Sequence, residues 1–130
     1  MDQSSVIKAV PALASAAKTA DFTGITVDAR GYDALTFVAN TATVTDATTT
    51  LGAEYSDDAG SNWAAVPASE IIGTPPVLDT AAADDNSVQQ FGVVVRHAHY
   101  RLKGTVVGAT TGLVIGAVAI LGHPRYAPTA

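Results

Sequence analysis

With 130 residues the chain has the length of one domain, 48% of it hydrophobic and 15% charged, with more Val than Leu and Ile together; this excludes a disordered chain, a coiled coil and a multidomain enzyme. The absence of cysteine excludes a disulfide scaffold, a thiolate metal site and a thiol nucleophile. The net charge of −5 is unevenly placed, since all twelve acids lie at or before Asp85 and the charges beyond it are Arg96, Arg101, Lys103 and Arg125 alone; such polarity can orient a partner.

From the N-terminus, residues 1–5 show no basic stretch leading into an apolar run, so no secretory signal is expected. Residues 1–24 are rich in Ala and Ser, carry Pro11 and lack both a capping box and an apolar stripe at helical spacing. They read as an extended N-terminal arm that lies along the domain or reaches a neighbouring subunit. From residue 25 to 130 short β-branched runs alternate with Gly, Asp, Asn and Pro clusters about every ten residues, the signature of an all-β domain. The expected fold is an antiparallel β-sandwich or a jelly-roll-like barrel. Its strands are placed at Ile25–Arg30, Ala34–Thr43, Thr49–Tyr55, Trp63–Val66, Val88–Arg96, His99–Val107 and Leu113–Leu121.

Successive strand side chains point to opposite faces. Leu35, Phe37 and Ala39 therefore share a face, as do Leu51, Ala53 and Tyr55, and Phe91, Val93 and Val95. In the next strand Tyr100, Leu102 and Val106 share one face, and His97, His99, Arg101 and Lys103 share the other. That second face is basic, and together with Lys8 of the arm it is the expected partner contact. Residues 74–86, with Pro75-Pro76 and Asp84-Asp85, read as a long exposed loop.

The uncharged run from Gly104 to Gly122 is long enough to span a bilayer and spaces Gly104, Gly108, Gly112 and Gly116 four apart. Three threonines interrupt its first half, and residues 108–112 suit a hairpin. Two buried strands are therefore expected, and no membrane partner. Leu113–Leu121 is apolar on both faces, which calls for a central strand or cover from another subunit. A sequence pI near 4.8 and the lack of interleaved basic and aromatic residues disfavour nucleic acid.

Ser56-x-Asp58-x-Gly60-x-x-Trp63 resembles the Asp-box of sialidases and many extracellular β proteins. It describes a hairpin in which the Asp caps backbone N–H groups, Gly takes a positive φ and Trp packs beneath. A glycan or ion contact is the functional alternative. His97 and His99 could present two imidazoles to one metal, but no spacing selects a third ligand, so neither metal nor cofactor is expected. The sequence offers no nucleophile elbow, no phosphate loop and no carboxylate pair across a cleft, so an enzyme is not expected.

Four runs follow one another in order: Val27-Asp28-Ala29-Arg30-Gly31-Tyr32-Asp33-Ala34-Leu35-Thr36-Phe37-Val38, Glu54 to Pro67, Tyr100-Arg101-Leu102-Lys103, and Ala117 to Arg125. The series resembles a group of small structural proteins of tailed bacteriophages that are encoded near the major capsid protein. The resemblance implies a non-enzymatic virion component on the capsid surface, a decoration or cement protein that binds the major capsid protein as a homo-oligomer. A trimer is the form it points to. A tail or head–tail component is the nearest variant. A carbohydrate-binding β domain and a small membrane protein anchored by residues 104–122 are the readings from other classes.

Overall fold

The computed structural model describes residues 6–58, 61–79 and 84–124. Eleven strands run antiparallel: β1 (Ile7–Lys18), β2 (Phe22–Thr23), β3 (Val27–Asp28), β4 (Tyr32–Val44), β5 (Thr48–Ser56), β6 (Ala64–Ala65), β7 (Ile71–Ile72), β8 (Val77–Leu78), β9 (Val88–Val94), β10 (His99–Val107) and β11 (Leu113–Pro124). One sheet has the order β1-β11-β4-β9-β7. The other has the order β2-β10-β5-β6, with β3 also on β10 and β8 also on β5. The protein is an all-β, sandwich-like fold. A 3₁₀ turn, Ala68–Glu70, leads into β7.

Period-two burial follows from two sheets facing each other across one core. Leu35, Phe37 and Ala39 of β4, Phe91 and Val93 of β9, and Ile115, Ala119 and Leu121 of β11 line it from the first sheet. Leu51 and Ala53 of β5 and Tyr100 and Leu102 of β10 line it from the second. The Phe37 and Phe91 rings, opposite each other in register, lie 5.5 Å apart centre to centre.

Several expectations are corrected. Ile25–Arg30 is a strand only at Val27–Asp28, because the Asp28 carboxylate takes the Arg30 N–H at 3.1 Å and Gly31 turns the chain at φ +92°. The segment 74–86 is not wholly loop: β8 pairs with β5 and buries Leu78 completely. Its acids are not simply solvated. Asp85 accepts from Val44 N–H at 2.8 Å and Asp84 from Asp79 N–H at 2.9 Å. Residues 108–112 join two strands but do not make a hairpin, since β10 pairs with β5 in one sheet and β11 with β1 and β4 in the other. The link is a crossover between sheets. Asp46 holds it by accepting from the N–H groups of Thr110, Thr111 and Gly112, the last at 2.6 Å.

Of the two places open to the N-terminal segment, Ile7–Lys18 takes the one along the domain, as an edge strand on β11. Pro11 is tolerated there because an edge strand leaves one side of its backbone unpaired. Register shifts between Pro11 and Leu13 and between Leu13 and Ala16 bring Ala12 and Leu13 both into the core.

The run from Gly104 to Gly122 is strand, crossover and strand, and among the described residues no helix is long and apolar enough to cross a membrane. Its four-residue glycine spacing has four separate causes. A Cβ at Gly104 would strike the Phe22 ring, and one at Gly116 would strike the Ser15 hydroxyl. Gly108 and Gly112 adopt φ of +80° and +79°, and a Cβ at Gly112 would also overlap the Lys18 carbonyl.

Candidate functional site

β10 lies between β2 and β5 and turns His99, Arg101 and Lys103 outward while Tyr100 and Leu102 are buried. Register then decides what each basic residue meets. Arg101 stands opposite Glu54, and both its Nε and Nη2 donate to Glu54 Oε1 at 2.8 Å. Its guanidinium carbon lies 4.2 Å from the centre of the Trp63 ring, a cation–π contact. The charge of Arg101 is thus balanced within the chain. Lys103 stands opposite Gly52 and Thr23, and among the described residues no carboxylate pairs with it.

His97 is not on the strand with the other three. It sits in the bend between β9 and β10, stacked on Tyr55 with ring centres 3.7 Å apart and an interplanar angle of 11°. Its Nδ1 is 2.9 Å from Asp57 Oδ2, and its Nε2 is 3.8 Å from Glu70 Oε1. The bend is pinned beneath by Tyr100, whose hydroxyl accepts from the Arg96 and His97 backbone N–H groups at 2.8 and 3.1 Å. Burial pushes the Tyr100 phenol above its ordinary pKa.

His99 faces Asp28 across the β10–β3 pair, and its buried Nδ1 has no hydrogen-bond partner among the described residues. The Asp28 carboxyl is held at about 2, chiefly by the Arg30 guanidinium, which donates to it at 2.7 and 2.9 Å. His97 thus lies against Asp57, while His99 only stands in register with Asp28. Among the described residues no three His, Asp or Glu side chains are grouped to hold a metal ion.

Lys8 is exposed on β1, in the other sheet, opposite Leu121. The expected contact set therefore divides three ways: His99, Arg101 and Lys103 on the outer face of β10, His97 in the bend, and Lys8 on the far sheet.

In the Asp-box, the Asp58 carboxylate gathers the donors on either side of it. Asp58 Oδ1 accepts from Ser56 Oγ at 2.7 Å and from Asn62 N–H at 2.9 Å, and Oδ2 accepts from the Asn62 amide. These donors, Ser56 first, hold the Asp58 carboxyl at about 2. Gly60 lies outside the described residues. Trp63 closes the turn against Arg101, beside a shallow depression of about 320 Å³ between Tyr55, Asp57 and Trp63. Glu54, Asp57 and Glu70, which sequence reasoning missed as partners of the basic residues, come from elements 27 to 47 residues away and leave no local signal.

No family model matches the sequence, and no curated protein matches it.

Proposed function

We propose that the chain is a non-enzymatic structural protein of a tailed-phage virion, a decoration or cement protein that binds the major capsid protein on the head surface as a homo-oligomer, in the form of a trimer. The observation that carries this reading is the ordered series of four motifs resembling small phage structural proteins. Those motifs fall on β3–β4, the β5–β6 hairpin, β10 and the end of β11, so the likeness concerns the framework of the sandwich; Arg125, the last residue of the series, lies outside the described residues.

The geometry supports a role played by broad faces. A lattice-binding protein gains hold from many small contacts repeated over a particle, and it needs complementary surfaces more than a deep cleft. Since Glu54 neutralises Arg101 and the Asp57–Glu70 pair flanks His97, the cations of the basic face left for an acidic neighbour are Lys103 on β10 and Lys8 on β1, with the exposed Arg96 of the bend beside them.

The test is to add the protein to heads stripped of it and to compare Lys103→Glu with Lys8→Glu. Wild type should saturate the heads with a salt-dependent affinity, and each reversal should weaken binding and flatten the salt dependence. Wild type that fails to bind heads would overturn the reading. The depression beside Trp63 favours one second reading, a carbohydrate-binding domain. Glycan-array binding lost in Trp63→Ala at an unchanged melting temperature would put that reading first.

A further inference from the structure

The two outer faces of the sandwich differ in kind. The second sheet turns Asp28, Glu54, Arg101 and Lys103 outward. The first sheet turns out every second residue of β11 from Val114 to Gly122, of β4 from Ala34 to Asn40 and of β9 from Val88 to Val94, and none of these positions carries a charge. Ile72 of β7 continues the face beyond β9. Large apolar side chains stand open on it: Val88 at 66% exposure, Ile72 at 57% and Val118 at 44%, with Val38, directly opposite Val118, half-buried beside it.

Isolated exposed apolar residues need no explanation, but a broad face without charge that also holds several open valines and an isoleucine has the charge-depleted composition of an interface core. Five strands at about 4.8 Å spacing and about seven residues at about 3.3 Å rise give a face of roughly 20 by 25 Å. Stacking two such faces removes about 1,000 Å² from water, the threshold of a specific interface. Among the described residues Ser15 of β1 covers Gly116, while Val88, Ile72 and Val118 stay open.

We infer that the outer face of β1-β11-β4-β9-β7 is the surface on which another copy of this chain docks. Two features of the structure favour a copy over a foreign protein. An uncharged sheet face is complementary to itself, so like faces meet with no like charges opposed. Contact there also keeps the net-negative remainder of each chain, including Asp28, Glu54 and Asp58, on the far sheet or at its edges, where repulsion is weakest. Sheets packed in this way sit about 10 Å apart with interdigitated side chains, as Val and Ile at alternate positions allow. The inference deepens the proposed function, resting on its reading of the chain as a self-associating protein, and it puts a two-fold pair in place of the trimer, since like faces that meet close as a dimer.

Sedimentation equilibrium separates the outcomes. The single chain is 13.2 kDa, and wild type should sediment as a multiple of that mass at micromolar concentration. Val118→Glu places a charge at the centre of the face and should raise the dissociation constant at least tenfold. Gln90→Lys alters an exposed position on the same face with little risk to folding and should do the same, while Lys103→Glu on the other sheet should leave assembly unchanged. Circular dichroism confirms that each variant is folded.

A wild-type protein that sediments at 13.2 kDa at every concentration would overturn the inference, as would an oligomer indifferent to both face variants. Head binding distinguishes this from failure of the functional reading. Variants that stay oligomeric but lose the heads would hand the face to the capsid and refute self-docking. Wild type that assembles through the face but ignores heads would leave the inference standing and remove the phage assignment.

Discussion

Gly104 tests whether the β2–β10 contact is as close as the structure has it. Phe22 pairs directly with Gly104 across that contact, and its ring lies over the glycine where a Cβ would strike three ring carbons. Phe22 is itself core, 8% exposed, so its ring has little room to retreat. Gly104→Ala should therefore cost about 1–3 kcal/mol, the range for forcing one extra carbon into a packed site. For a chain of this length that is a fall in melting temperature of roughly 3–15 °C.

The decisive step is the second background. With Phe22→Ala the obstruction is gone, and the added methyl should be neutral or stabilising, because Gly in a strand is about 0.5–1 kcal/mol worse than Ala. A thermodynamic cycle from urea melts, followed by Trp63 fluorescence and far-UV circular dichroism, should then show a coupling of at least about 1 kcal/mol. An equal cost of Gly104→Ala in both backgrounds would refute the packing argument.

Acid should lower the protein's stability through Asp28 and Asp58. Both carboxyls are held at about 2, below the ordinary value near 3.9, so their contribution is complete above that value and is lost as pH falls through the folded one. Melting temperature should be level above pH 5 and fall between about pH 4 and pH 2, and Asp58→Asn should make the fall shallower. Trp63→Ala should lower stability by less than the roughly 3–5 kcal/mol of a fully buried ring, because Trp63 is partly exposed and one of its faces is taken by Arg101. Deleting residues 7–18 should destabilise the whole domain and promote aggregation, since it bares the hydrogen-bonding edge of β11. An unchanged urea midpoint would mean that the β1–β11 ladder contributes nothing.

The strands that bury one face were legible in the sequence because a sandwich imposes period-two alternation on them. Leu35, Phe37 and Ala39, Leu51 and Ala53, and Tyr100 and Leu102 all point inward as the alternation requires. β1 was not legible as a strand. It is an Ala-rich edge strand, and its two register shifts break the alternation that would have marked it. The crossover at 108–112 was hidden for a different reason: a short Gly-bounded link looks the same whether its strands pair or part between sheets, and only the long-range ladders of β10 with β5 and β11 with β4 decide.

The basic face was legible as a pattern on β10 but not in its charge balance. Arg101 and Glu54 are 47 residues apart, and His97 and Asp57 are 40 apart. Pairing at that separation is set by strand register, which no local motif encodes.

The central claim, attachment to a phage head, is tested most directly by electron microscopy of the parent particle with the protein present and with it removed. The proposed function expects compact density at regular lattice positions on the head surface that disappears with the protein and returns when it is added back. Heads of identical appearance in both states, or density that vanishes only from the tail, would contradict it.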